Sequence, residues 1–154
     1  KKAKQKKWIN LLWPSDLLIK GVITNEQSDT KKMIEKYLKG HINNKEFFMT
    51  LKTDADYILK ELSLSWKSND SGSILALMKK YNVLMQKLDE KYHLGIYTKE
   101  HQALANLISK SGLVYKPSGA GGGDLGLILT NNEMKLKQII AKLKDNNFKT
   151  IDLI

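Results

Sequence analysis

The chain contains no cysteine and no arginine. Without cysteine neither a disulfide framework nor a thiolate metal site can form. All 26 basic residues are lysine. Arginine is the usual residue for bidentate recognition of bases and phosphates, so no sequence-reading role on nucleic acid is expected despite a formal net charge of +10. Positions 1–7 alone hold five lysines, half of that charge, and read as a solvated basic N-terminal segment. No apolar run approaches a membrane span and no secretory signal is recognisable, so a cytoplasmic protein with no membrane partner is expected. Paired metal spacing is also missing: His41, His93 and His101 fall near helix ends or on polar faces. Asp16, Asp54, Asp56 and Asp70 read as caps and solvated surface, and no set of nucleophile, base and orienter is legible, so no catalytic residue is assigned.

What is present is enough apolar sequence, 42% of 154 residues, to build one domain around one core. Trp8-Ile-Asn-Leu-Leu-Trp13 is dense in strand formers and is stopped by Pro14-Ser15-Asp16, so it is read as the first strand, with Ser15 as a turn or N-cap. From Asp16 the spacing turns helical: Leu17, Leu18 and Val22 share a face before the polar break at 24–29. Asp29-Thr30 caps a helix carrying Met33, Ile34, Tyr37 and Leu38, closed by Gly40. Asn43-Asn44 opens a longer one with Phe47, Phe48, Leu51, Ala55, Ile58, Leu59 and Leu62 inward. After a turn over 66–72, Ser71 or Ser73 caps a helix whose buried face runs from Ile74 and Leu77 to Leu88 and Tyr92, and Gly95 ends it. Thr98 with Gln102, or Glu100, starts the next, which ends at Gly112. Leu113-Val-Tyr115 and Leu125-Gly-Leu-Ile-Leu129 read as strands, Asn131-Asn132 caps a helix over Met134 to Leu143, and a last strand follows from Phe148. The fold class expected is α+β, an antiparallel sheet of about four strands packed against several helices.

Five of the ten glycines crowd between positions 119 and 126, in Lys116-Pro-Ser-Gly-Ala-Gly-Gly-Gly-Asp-Leu-Gly126. Such a cluster suits backbone that takes positive φ or approaches a ligand closely, and free N–H groups in such a loop form an anion site with Ser118 as a further donor. The loop runs from strand into strand. The dinucleotide fingerprint must instead run from strand into helix, and a Walker A loop needs a lysine where Leu127 stands. A phosphate site and a tight hairpin turn both remain compatible with the residues.

The same segment resembles the third, C-terminal motif of the GHMP small-molecule kinases. The leading Lys116-Pro-Ser118 and the acidic Asp124 after three consecutive glycines resemble the bacterial phosphomevalonate kinases within that superfamily. The upstream layout is similar too, with a long helix, Gly95-Ile96, and a helix carrying Leu104 and Leu107 into Gly112. Leu125 stands where those kinases often carry cysteine, and the loop after Trp13 lacks their glycine.

The resemblance implies a ferredoxin-like C-terminal domain over 8–154, with the N-terminal ATP-binding domain absent from this chain. It implies transfer of the γ-phosphoryl of ATP to the phosphate of 5-phosphomevalonate, giving diphosphomevalonate in the mevalonate route to isoprenoids. ATP and Mg2+ would be bound mainly by the N-terminal kinase domain, so the chain alone is expected to be inactive. The substrate or phosphate-binding residues implied are Ser118, Gly119, Ala120, Gly121, Gly122 and Gly123 through backbone amides, with Lys116 adding charge or standing solvated, and Asp124 fixing the loop or orienting the site. Mevalonate kinase or another GHMP member, and a non-catalytic phosphate-binding or interaction domain of the same fold, are the alternatives.

Overall fold

One of the two central strands of the sheet is Leu18–Ile23 (β1), a stretch whose apolar spacing reads as helix. The computed structural model describes residues 11–27, 29–119 and 121–153. The strand expected over 8–13 is not found at its described residues: 11–14 are irregular, positions 8–10 lie outside the described residues, and so does the basic segment 1–7. Leu18 and Val22 satisfy alternation as well as helical spacing, and neighbouring strands decide between the two. β1 pairs antiparallel with Leu125–Thr130 (β3) on one side, Ile23 opposite Leu125, and with Lys149–Asp152 (β4) on the other, Gly21 opposite Ile151. Val114–Pro117 (β2) pairs antiparallel with β3, Tyr115 opposite Ile128. The sheet order is therefore β2-β3-β1-β4, the ferredoxin-like order.

Between β1 and β2 lie four helices: Thr30–Asn43 (α1), Lys45–Lys67 (α2), Ser71–Tyr92 (α3) and Lys99–Lys110 (α4). Glu133–Asp145 (α5) joins β3 to β4. Their starts follow the cap chemistry of the sequence. Asp29 accepts from the Lys32 N–H, Thr98 from His101 and Asn132 from Lys135. At α3 the cap is Asp70, which accepts from Ser73, and not Ser71 or Ser73. Ser71 instead donates to Asp16 at 2.5 Å, tying the helix start to the segment before β1. Gly40 does not close α1 either: the helix continues to Asn43, and the Tyr92 ring lies against Gly40 where a Cβ would stand.

The main core lies between the sheet and α4 and α5. Val22, Leu113, Tyr115 and Ile128 meet Leu104 and Ile108 of α4 and Leu136, Ile139 and Leu143 of α5. Full burial of each large aliphatic contributes roughly 1.5–3 kcal/mol. The other helices pack on one another. Ile58 of α2 meets Leu77 and Leu84 of α3, while Leu88 of α3 joins Leu94, Ile96 and Tyr97 in a cluster that Tyr37 of α1 and Phe47 of α2 border. Leu94, Ile96 and Tyr97 lie in the α3–α4 connection, which thereby becomes a rigid shelf under the glycine loop. No helix among the described residues is long and apolar enough to cross a membrane.

Candidate functional site

The glycine loop connects β2 to β3 and folds back onto that shelf. Ser118 donates its N–H to Leu125 O at 2.8 Å, closing the hairpin, and Gly121 N–H returns to Ser118 O at 3.1 Å. Gly122 N–H donates to Ile96 O at 2.8 Å. Gly119, Gly121 and Gly122 all have positive φ, at 59°, 81° and 64°. A side chain at Gly121 would run into Ile96, with the Ile96 Cα 2.9 Å away, and one at Gly122 would strike the Gly95 carbonyl and the end of Met33. Part of the glycine requirement is thus packing of backbone on backbone. Gly121, Gly122 and Gly123 are buried, whereas Gly119 and Asp124 are exposed. Ala120 lies outside the described residues.

This geometry narrows the amide cradle. The N–H groups of Ser118, Gly121 and Gly122 are spent on protein carbonyls, leaving Gly119 and Gly123 as the glycine amides of the loop with no acceptor among the described residues. The Ser118 side chain is half-buried beside them. Lys116 stands opposite Leu127 in the β2–β3 register, one residue from the inward Tyr115 and so on the other face of the strand. It is not a freely solvated lysine: burial penalises its ammonium and lowers its pKa from the ordinary lysine value. Asp124 contributes its backbone, its carbonyl accepting from Thr24 N–H at 2.9 Å.

Four supporting residues are not among the site residues expected from the sequence. Asp89, near the end of α3 and buried, accepts from three consecutive backbone N–H groups: Gly95 at 2.7 Å, Ile96 at 3.0 Å and Tyr97 at 2.8 Å. It shapes the turn whose Ile96 carbonyl holds Gly122. Thr24, just past β1, donates its hydroxyl to Gly123 O at 2.6 Å. His101 corrects the expectation of a polar-face histidine, because it is completely buried. Its Nε2 lies 2.9 Å from Gly123 O and its Nδ1 2.6 Å from the Tyr115 hydroxyl. A carbonyl only accepts, so Nε2 carries the proton and neutral Nδ1 accepts from Tyr115. Burial lowers the His101 pKa, while the Gly123 bond and the charges of Glu26 and Glu100 pull weakly upward. Tyr115 is pushed above the ordinary tyrosine value, chiefly by burial, and remains a donor. The signal that would have found the pair is spatial: Gly126 faces Tyr115, and a Cβ there would collide with its ring.

Among the described residues no three histidine, aspartate or glutamate side chains converge to hold a metal ion. The site thus joins a glycine loop whose Ser118, Gly121 and Gly122 amides are bonded to protein carbonyls with a partly desolvated lysine on the strand leading into it.

Residues 56–149 match the family model described as GHMP kinases C terminal. The chain is 27% identical over 124 residues to a phosphomevalonate kinase of Streptomyces sp. strain CL190, a match covering 78% of this chain and 32% of that protein. Among solved structures, the Lin0012 protein of Listeria innocua superposes with a TM-score of 0.84 at 19% identity, over 92% of this chain and 39% of that one. The Streptococcus pneumoniae phosphomevalonate kinase in complex with phosphomevalonate and AMPPNP superposes with a TM-score of 0.70 at 20% identity, over 91% and 41%. The chain thus spans about a third of the length of the Streptomyces protein and about two fifths of the two solved chains.

Proposed function

From the premise that this chain belongs to the GHMP kinase family, as a C-terminal domain of that family, we propose that it forms the substrate side of a phosphomevalonate kinase. In that reaction an oxygen of the 5-phosphomevalonate phosphate attacks the γ-phosphorus of ATP and the β–γ bridging bond breaks, yielding diphosphomevalonate and ADP. Phosphoryl transfer depends on positioning and on neutralising charge more than on covalent chemistry. The loop fits that demand: Ser118, with the Gly119 and Gly123 amides, faces the anion, Gly121 and Gly122 brace the backbone, and Lys116 adds positive charge from the neighbouring strand. Ala120 and Asp124 complete the loop, with Asp124 in a structural role through its carbonyl.

The observation that carries this reading is the spelling Lys116-Pro-Ser-Gly-Ala-Gly-Gly-Gly-Asp124 on a β2–β3 turn of this fold, together with the similarity to the Streptomyces enzyme. The described residues offer no carboxylate cage for Mg2+. ATP and its Mg2+ would be held mainly by the N-terminal kinase domain, and this chain's own residues would bind the phosphorylated substrate. The test is ADP release by the full-length gene product given ATP and magnesium with either 5-phosphomevalonate or mevalonate. Turnover on phosphomevalonate alone is expected; turnover on mevalonate alone would move the assignment to mevalonate kinase, and silence from folded protein on both would refute this substrate.

A further inference from the structure

We infer that His101 is the positioning residue of the glycine loop, and that Tyr115 acts by selecting the imidazole tautomer able to do that work. The inference deepens the proposed function and rests on it for its kinetic consequence, though not for its structural one. Gly123 is the last glycine of the run and one of the two whose amide has no acceptor among the described residues. Its peptide carbonyl is held from two sides, by the Thr24 hydroxyl at 2.6 Å and by His101 Nε2–H at 2.9 Å. Fixing that carbonyl limits how the adjoining peptide units can rotate, and so where the Gly123 and Asp124 N–H groups point. A histidine in the other tautomer would set an Nε2 lone pair against the carbonyl oxygen and push the loop away.

What prevents this is Tyr115, whose hydroxyl lies 2.6 Å from Nδ1 and is aimed there by the β2–β3 register and by the missing side chain of Gly126. Asn82 secures Tyr115 in turn, donating its amide to the Tyr115 carbonyl and accepting from the Tyr97 hydroxyl at 3.1 Å. The shelf under the loop and the strut behind it therefore share one hydrogen-bonded network, running from Tyr97 through Asn82 and Tyr115 to His101 and Gly123.

The first test needs no variant and no activity. In the full-length protein labelled with 15N, the imidazole of His101 is expected to show a protonated Nε2 and a bare, pyridine-like Nδ1 at neutral pH; the opposite assignment, or a mixture of tautomers, overturns the inference. Tyr115→Phe is expected to convert that single tautomer into a mixture and to shift the amide signals of Gly122 and Gly123. The kinetic arm compares His101→Leu with His101→Gln, because glutamine can return an N–H donor at the same distance along the side chain. His101→Leu is expected to raise the KM for the phosphorylated substrate by about five- to tenfold with a smaller change in kcat, the effect of losing one buried neutral hydrogen bond. His101→Gln is expected to recover most of that loss. Equal loss in both folded variants would make His101 a packing residue only. If the wild-type protein phosphorylates nothing, the proposed substrate fails, while the tautomer and the glycine amide shifts still decide the role of His101.

Discussion

Replacing Asp89 tests the whole support of the loop in one step. Its carboxylate accepts three backbone N–H groups, at 2.7, 3.0 and 2.8 Å, from Gly95, Ile96 and Tyr97. Hydrogen bonds to an ionised group contribute about 1.5–3 kcal/mol each, and a buried donor left without a partner costs about 1–3 kcal/mol. In Asp89→Ala all three donors lose their acceptor; Gly95 is exposed and can turn to water, whereas Ile96 and Tyr97 are buried. A loss of roughly 3–5 kcal/mol is expected, a large part of the roughly 5–15 kcal/mol that holds a typical domain together. Asp89→Asn keeps one oxygen for Gly95 and Ile96 but sets an amide against the Tyr97 N–H, so about half that loss is expected. Urea unfolding of the full-length protein measures the magnitude. Hydrogen exchange at Gly122 measures the coupling, because its N–H bonds to Ile96 O across the shelf. A loss below about 1 kcal/mol with Gly122 exchange unchanged would refute the reasoning, since the amides would then have found other acceptors.

Two further predictions follow from the same geometry. Gly122→Val forces a β-branched residue into φ 64° and drives its side chain into Gly95 O and Met33, so phosphoryl transfer by the full-length enzyme should fall at least about tenfold while its helical circular dichroism persists. Normal activity with normal substrate affinity would show the loop to be merely a turn. The buried His101 predicts the sign of a pH effect. Its native pKa lies below the value of about 6.5 that applies when the chain is unfolded, so between the two the unfolded state binds more protons. The His101 contribution to stability is therefore complete above about pH 6.5 and declines as pH falls through the native pKa. Urea midpoints from pH 8 to 5 should fall less steeply in His101→Gln than in wild type; identical slopes would contradict the shift.

How much of this was legible in the sequence depended on whether local chemistry or distant partners decide each feature. Asn44, Thr98 and Asn132 mark helix starts through their own side chains or turn preference, and each helix begins one residue later. The apolar face of α3 was readable because only a helix buries Ile74, Leu77 and Leu84 on one side; along α2 Ile58 is buried as read, but Leu59, expected inward, is 51% exposed. β1 was not readable, since Leu18 and Val22 suit both periods and its partners lie about a hundred residues away. His101 was misread for a related reason. Glu100 and Gln102 flank it, and only the approach of Tyr115 and Gly123 makes its position an interior one. The loop itself stood out by composition, but composition did not reveal that Gly121 and Gly122 are glycines partly to clear Gly95 and Ile96.

The place of β1 in the sheet has a consequence for synthesis. It emerges from the ribosome well before either of its neighbours: β3 begins at Leu125 and β4 at Lys149, and four helices are made in between. At an elongation rate of about 5–20 residues per second, an apolar strand with both edges open waits several seconds or longer for a partner. Helices α2 and α3 can pair in the meantime, but they cannot cap those edges. The nascent chain is thus most exposed to misassociation through residues 18–23, and a holdase that shields extended apolar segments should raise soluble yield more than faster helix formation would.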